Sequence, residues 1–380
     1  MKKFIALCLL AFNIAASALA AEIPYIGRVQ PEYRAAAEGY LIEATSPQDV
    51  ERRVKNYVPA QSSITFETVN AKSLYGAADV PLYIYHPAKS SNAKLPVVYY
   101  AHGGGYLFRI SLDDRERYQN IANALNAAVI TPRYRLSVEA PFPAALEDAY
   151  SGLMYVKENA DKLGLDAGKI ILMGDSAGGN LAASLALYNR DNANIPIKGQ
   201  VLIYPMLDYR TATESSPYHA QQTGYICWPR SSNKYAWEVL RGGQKLSGKM
   251  LGYYSPTFAE DFANLPPAFI YVGGLDLFVN EDIDYAAKLT EANVDTELHV
   301  IPGLYHAFEI AAPKPNRAKF SGSACMPSAQ KNWRNDLNVN LKMTIPKASF
   351  SLQSGAFKFY ILLLLQRHKP IVNCQAQCYT

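Results

Sequence analysis

The stretch Lys169-Ile170-Ile171-Leu172-Met173-Gly174-Asp175-Ser176-Ala177-Gly178-Gly179 constrains this chain more than any other. An apolar run of the kind a buried parallel strand needs leads directly into Gly-x-Ser-x-Gly, and a helix-forming run over residues 180–188 follows at once. Strand and helix must then meet in one sharp turn. Glycine flanks the serine where a side chain would collide, and the serine hydroxyl is left standing at the carboxyl end of the strand. About seventy residues earlier, His102-Gly103-Gly104-Gly105-Tyr106 likewise follows a strand-like run, residues 95–100, and its glycines let backbone N–H groups close on an oxyanion. Either motif alone is weak. In these settings the pair predicts acyl transfer by an activated serine.

A serine hydroxyl is a poor nucleophile until a base takes its proton, so the chain must also supply a histidine and an acid that fixes the histidine's tautomer. Six histidines are available. His102 belongs to the glycine loop, His86 and His299 sit in strand-like segments, His219 falls in an irregular stretch, and His368 lies in an atypical tail. His306 follows the strand-like run 296–301 and a Pro-Gly turn, at the strand end where open α/β sheets gather their chemistry. Asp276 comes directly after another apolar run, 268–274, and before a helical pattern over 281–291. The order Ser176, Asp276, His306 is the one expected on an α/β-hydrolase sheet. Asp208, after the run 201–204, is the rival acid, whereas Asp282 and Asp284 read as solvated helix positions.

Six motifs, HGGGY, YRLSVEAPFPAALEDA, GDSAGGNLA, LIYPMLD, LPPAFIYVGGLDLF and PGLYHAFE, follow one another in that order between residues 102 and 309, within a stretch of roughly 64–309. Together they resemble the hormone-sensitive-lipase family of α/β-hydrolases, the bacterial carboxylesterases and acetylesterase-like enzymes. The resemblance implies a mostly parallel sheet of about eight strands flanked by helices, and a cofactor-free hydrolase of short-to-medium-chain carboxylic esters. It carries the triad onto Ser176, Asp276 and His306, and the oxyanion hole onto the N–H groups of Gly103, Gly104 and Ala177. Glu139 matches a family glutamate near the serine and reads equally well as a salt-bridged structural residue; with Asp175 it is a candidate support for the triad. An amidase or deacetylase would use the same residues, and a non-catalytic small-ligand-binding protein on the same fold is a further alternative. Tyr106, Phe108, Tyr225, Trp228 and Trp237 are candidate pocket aromatics.

The rest of the chain sets the surroundings. Lys2 and Lys3, an apolar stretch over 4–16 and Ala18-Leu19-Ala20 form a secretory leader cleaved after Ala20, too short for a membrane span, which predicts a periplasmic or secreted protein. The chain has 37 basic and 33 acidic side chains. Residues 321–380 hold seven of the basic and one of the acidic ones, so residues 21–320 are mildly acidic and show no footprint for nucleic acid. Four cysteines remain after cleavage, Cys227, Cys325, Cys374 and Cys378, with no metal-ligand spacing. One hydrolase domain over 21–320, with a two-part lid at about 21–60 and 209–264, accounts for the middle of the chain. Residues 321–380 carry no helical period and are expected to stand outside the fold, as a read-through end, a disordered extension or a surface-binding appendage.

Overall fold

Apolar runs that show no polar alternation can only be strands covered on both faces, and here they form the middle of one sheet. The computed structural model describes residues 23–59, 61–90 and 94–311; the leader and the 321–380 segment lie outside the described residues. The strands are β1 (Glu67–Ala71), β2 (Val80–Tyr85), β3 (Leu95–Ala101), β4 (Ala128–Pro132), β5 (Leu165–Asp175), β6 (Ile197–Ile203), β7 (Ala268–Gly273) and β8 (Thr296–Ile301). They lie in the order β1-β2-β4-β3-β5-β6-β7-β8. The pairs β1/β2 and β2/β4 are antiparallel and every other neighbouring pair is parallel. The eight-stranded, mostly parallel sheet read from the sequence is therefore present. Every residue of β3, β4 and β7 is buried, whereas β8 at the far edge is only half-buried.

The helices among the described residues are α1 (Pro31–Ala37), α2 (Pro47–Asn56), α3 (Arg115–Leu125), α4 (Ala144–Glu158), α5 (Ala177–Asp191), α6 (Arg230–Arg241), α7 (Gly248–Tyr254), α8 (Val279–Glu291) and α9 (Phe308–Ala311). Helix α5, directly behind the serine, is buried along nearly its whole length, as its run of alanine and leucine requires. Some boundaries differ from the sequence reading for local reasons. Residues 32–41 read as a helix in the sequence, but the helix stops at Ala37, because Gly39 takes a positive φ of 72° that no helix accommodates. Residues 128–134 likewise read as a strand, but it stops at Pro132, beyond which the chain is captured by a buried carboxylate.

That carboxylate is Asp148 of α4. It accepts the backbone N–H of Arg135 at 2.8 Å and the Arg135 guanidinium at 2.8 and 2.9 Å, while its own side chain is 3% exposed. Helix α4 is thereby tied to the loop that leaves the centre of the sheet. The two segments read as a lid are also tied, to each other. Cys227 donates its N–H to Tyr40 and accepts that of Ile42, both at 2.6 Å, and the Ser232 hydroxyl sits between Ile42 and Ala44. Two stretches about 190 residues apart thus share one wall.

Removing the Asp148 carboxylate takes the acceptor from the Arg135 backbone N–H and leaves its half-buried guanidinium only the longer contacts to Glu147 and Ala144 O, at 3.3 and 3.2 Å. Asp148→Ala is expected to lower the unfolding free energy by about 3 kcal/mol, with the urea m-value unchanged. A loss below about 1 kcal/mol in equilibrium urea unfolding would show that the pair holds nothing.

Candidate active site

Ser176 sits between the last residue of β5 and the first of α5 with φ 57° and ψ −122°, a backbone conformation that L side chains rarely adopt. The turn closes this tightly because its neighbours have no side chains. A Cβ on Gly174 would stand 2.1 Å from the Gly178 carbonyl oxygen, and one on Gly178 would stand 2.1 Å from the Ala101 oxygen at the end of β3. The glycines of Gly-x-Ser-x-Gly are therefore steric necessities on both sides of the serine. The bond from Ser176 N–H to Ile203 O, at 2.9 Å, and that from Met206 N–H to Ser176 O, at 3.1 Å, pin the turn to the end of β6.

His306 comes from the loop after β8 and meets the serine at the carboxyl edge of the sheet. Its Nε2 is 3.0 Å from Ser176 Oγ and its Nδ1 is 2.8 Å from Asp276 Oδ2. Asp276, on the turn after β7, accepts the Phe278 N–H on its other oxygen at 2.9 Å. The turn and the loop are locked together. Leu275 N–H donates to Leu304 O at 2.8 Å, and a Cβ on Gly273 would approach that same oxygen to 2.3 Å. Ser176, His306 and Asp276 are 7%, 4% and 1% exposed, so the chain of hydrogen bonds is shielded from competing water everywhere but at the hydroxyl. Phe278 and Tyr204 hold the imidazole by its edges, with ring centroids 5.1 and 4.7 Å from it.

Ser176 opens onto a cavity of about 780 Å³ whose walls include Gly104, Gly105, Phe108, Asp175, Tyr204, Trp228 and His306. Gly104 and Gly105 have φ of 121° and 63°, and a Cβ on either would strike Phe108 O or the Trp228 ring within 2.5 Å. Of the three expected oxyanion donors, Gly104 lines the cavity, Ala177 is the first residue of α5, and Gly103 stands one step back against Asp175. None of the backbone N–H groups of Gly103, Gly104, Gly105 and Ala177 donates a turn or loop hydrogen bond among the described residues. Gly105 was not singled out in the sequence, although its place in the triple glycine could have shown it.

The other candidates sort by contact. Asp208 is fully buried and engaged elsewhere, paired with Arg210 at 2.7 Å and accepting from Tyr218 at 3.1 Å, while His306 Nδ1 is bonded to Asp276. Asp175 accepts from Tyr100 at 2.8 Å and stands 3.7 Å from the buried Arg117. Glu139 is engaged by Arg109 and by the Leu136 N–H at 2.8 Å, and it does not line the cavity. Burial pushes its carboxyl up, but these donors outweigh that and hold it low. Asp282 is the clearest departure from the sequence: expected on a solvated face, it is fully buried, and burial pushes its carboxyl well above the usual range. Phe108 and Trp228 line the cavity, whereas Tyr106, Tyr225 and Trp237 do not. Tyr106 instead donates to Asn180 at 2.5 Å, and Trp237 packs on Tyr254 with ring centroids 4.9 Å apart. No group of three or more metal-ligating side chains occurs among the described residues. No described helix is long and apolar enough to cross a membrane.

Sequence and fold comparisons bear on the chain as a whole. Residues 98–310 match the family model described as alpha/beta hydrolase fold. The chain is 34% identical over 225 residues to the esterase LipI of Mycobacterium tuberculosis, covering 58% of this chain and 68% of that protein. It is 33% identical over 266 residues to the carboxylesterase NlhH of the same species, covering 67% of this chain and 80% of that one. The crystal structure of the esterase LipW from Mycobacterium marinum superposes with a TM-score of 0.66 at 29% identity, over 78% of this chain and 93% of that one.

His102, which opens the glycine loop, is fully buried against Tyr134, with ring centroids 4.3 Å apart, and its Nδ1 lies 2.7 Å from Gly103 O. Burial pushes its pKa down from 6.5 to about 4. Above about pH 6.5 the ring is neutral in both folded and unfolded chains and costs nothing. As pH falls from there toward 4 the unfolded chain takes up the proton first, so stability drains away, by about 3 kcal/mol at the end of the window. His102→Asn is expected to lose correspondingly less stability than the wild type between pH 7 and pH 4.5 in urea unfolding. Equal losses in the two proteins would mean that His102 is not buried as a neutral ring.

Proposed function

This chain belongs to the hormone-sensitive-lipase-like family of α/β-hydrolases and is an ester hydrolase, and we propose that it works through an acyl-enzyme formed on Ser176. The observation that carries this reading is the unbroken hydrogen-bond chain Ser176 Oγ to His306 to Asp276, at 3.0 and 2.8 Å. His306 takes the serine proton as Oγ attacks the ester carbonyl, and the Asp276 carboxylate fixes the tautomer and stabilises the imidazolium that forms. The developing oxyanion is received by the N–H groups of the glycine loop and Ala177 at the start of α5, where each such donor lowers the barrier by about 3–4 kcal/mol. His306 then returns the proton to the leaving alcohol, and water releases the acid by the reverse sequence.

Short-to-medium acyl chains suit the walls around the serine. Trp228, its Nε1 donating to Asn233 at 3.2 Å and its ring against Gly105, is held rigidly at one side, and Phe108 and Tyr204 stand at others. The stitched segments about 21–60 and 209–264 act as the lid over this space. The leader directs the protein to the periplasm or the medium.

With p-nitrophenyl esters of graded length, kcat/KM is expected to be highest between C2 and C6 and to fall for C12 to C16; faster turnover of the long esters would overturn the chain-length reading. Ser176→Ala and His306→Ala should each remove nearly all turnover, and the double variant should be scarcely worse, because the residues act as a unit. Asp276→Asn should leave a folded protein slower by roughly 10⁴-fold through the wrong histidine tautomer. If Asp208→Asn proved the damaging change and Asp276→Asn the mild one in steady-state assays, the acid is misassigned.

A further inference from the structure

The roof of the cavity is built from the wrong face of a helix for a purely apolar substrate. In α2, Asp49, Arg52, Arg53 and Asn56 all line the space that contains Ser176, and their i, i+3, i+4, i+7 spacing makes them one helical stripe. The apolar residues of this region point elsewhere: Val50 is buried, while Val54 and Val58 are 55% and 83% exposed. A polar stripe thus faces the cavity, with Asp49 and Arg53 half-buried and Arg52 and Asn56 at its open side.

Within that stripe one cation stands unpaired. Asp49, four residues before Arg53, is its natural partner along the helix, but its carboxylate is already taken. It accepts from Thr45 N–H at 3.1 Å and Thr45 Oγ1 at 2.9 Å, and it pairs with Arg52 at 2.5 Å. Of the other carboxylates lining the cavity, Glu43 is exposed and makes no ion pair with Arg53, and Asp175 is engaged by Tyr100 and Arg117. Arg53 makes no ion pair among the described residues, and its Nε is buried without an acceptor. Its guanidinium stands 5.8 Å from the centroid of the Phe108 ring, four residues beyond Gly104. It also bears on Cys227 across the cavity, whose thiol burial pushes up to about 12 while the Arg53 charge pulls down.

We propose that Arg53 is a specificity residue that binds an anionic group on the substrate, so that the natural ester carries a carboxylate or a similar anion in its acyl or its alcohol portion. This rests on the ester-hydrolase reading and narrows it. A guanidinium standing over an aromatic ring keeps donors that a carboxylate can accept in pairs, and a partly buried site screens that attraction less than open water does.

Two matched pairs test it: mono-p-nitrophenyl glutarate against p-nitrophenyl valerate, with the anion on the acyl side, and 3-acetoxybenzoate against 3-acetoxybenzamide, with the anion on the alcohol side. The readout is the ratio of kcat/KM for the charged over the neutral member, which cancels any general loss of activity. In at least one pair Arg53→Met should lower that ratio by about tenfold or more, chiefly through KM. Arg53→Glu should lower it further, Arg53→Lys should restore most of it, and added salt should shrink the difference. The responding pair tells which side of the ester holds the anion. If Arg53→Met and Arg53→Glu both leave the two ratios within threefold of wild type while hydrolysis of the neutral esters still depends on Ser176, then Arg53 only packs α2 onto Phe108 and the proposal fails alone. If no ester is hydrolysed in a Ser176-dependent manner, the acyl-enzyme reading fails and takes this one with it.

Discussion

Everything around the cavity depends on how closely β5, its turn and α5 approach the neighbouring strands. The backbone of Ser176 is held at φ 57°, a conformation costing on the order of 1–3 kcal/mol that survives only where the surroundings over-determine it. The surroundings here are Ala101 O, Gly178 O and Pro205, each within 3 Å of where a glycine Cβ would be. Other residues with positive φ gather nearby: Tyr204, Cys227 and Ala307 all line the cavity, and Tyr106 closes the glycine loop. Strain is concentrated at one edge of the sheet, and the fully buried strands behind it are what sustain it.

How much of this was legible before the structure follows from which forces act locally. The strands over β3, β5 and β7 and the turn at Ser176 could be read because uninterrupted apolar runs and obligatory glycines leave few other solutions. Asp276 could be placed because it directly follows such a run, and His306 because it comes a Pro-Gly turn after the strand-like run 296–301; the structure brings both to the serine. Asp282 could not, since its burial comes from packing of α8 against distant segments and not from anything in its own neighbourhood. The cavity-facing stripe of α2 was equally invisible: the helix is strongly two-faced, and only its contacts decide which face meets the cavity. The pocket aromatics fall between these cases, because an aromatic residue serves a core and a cavity wall alike.

Beneath the serine turn lies a set of charges that the local sequence also conceals. Arg117 of α3 is buried between Asp175 and Glu309, with its Nη1 3.7 Å from Asp175 and its guanidinium over the Tyr100 ring. Tyr204, which touches the His306 ring with one face, donates its hydroxyl to Glu309. Burial pushes the Glu309 carboxyl up, opposed by the Arg117 charge and the tyrosine hydroxyl. The loop after β8 is thus linked, through Tyr204, Glu309 and Arg117, to the residue immediately before Ser176. Buried groups of this kind contribute little net stability but penalise every arrangement that leaves them unmatched, which favours a single geometry at the histidine and the serine together.

The docking of the first described helix has a consequence for the order in which the molecule is assembled. Tyr33 of α1 packs edge-on against Phe308, and Gln30 bonds Gly303 O at 3.0 Å and Pro302 O at 2.6 Å, so the front of the chain rests on the loop that holds His306. A ribosome delivers these partners some 270 residues apart. The early segment therefore leaves the exit tunnel with nothing to lie against, and it waits through the synthesis of seven strands for its platform. A nascent chain cut short before β8 would lack His306 and the seat for its own first described helix at once. One late event completes the cavity wall at His306 and Ala307 and seats the first described helix, and premature products have neither.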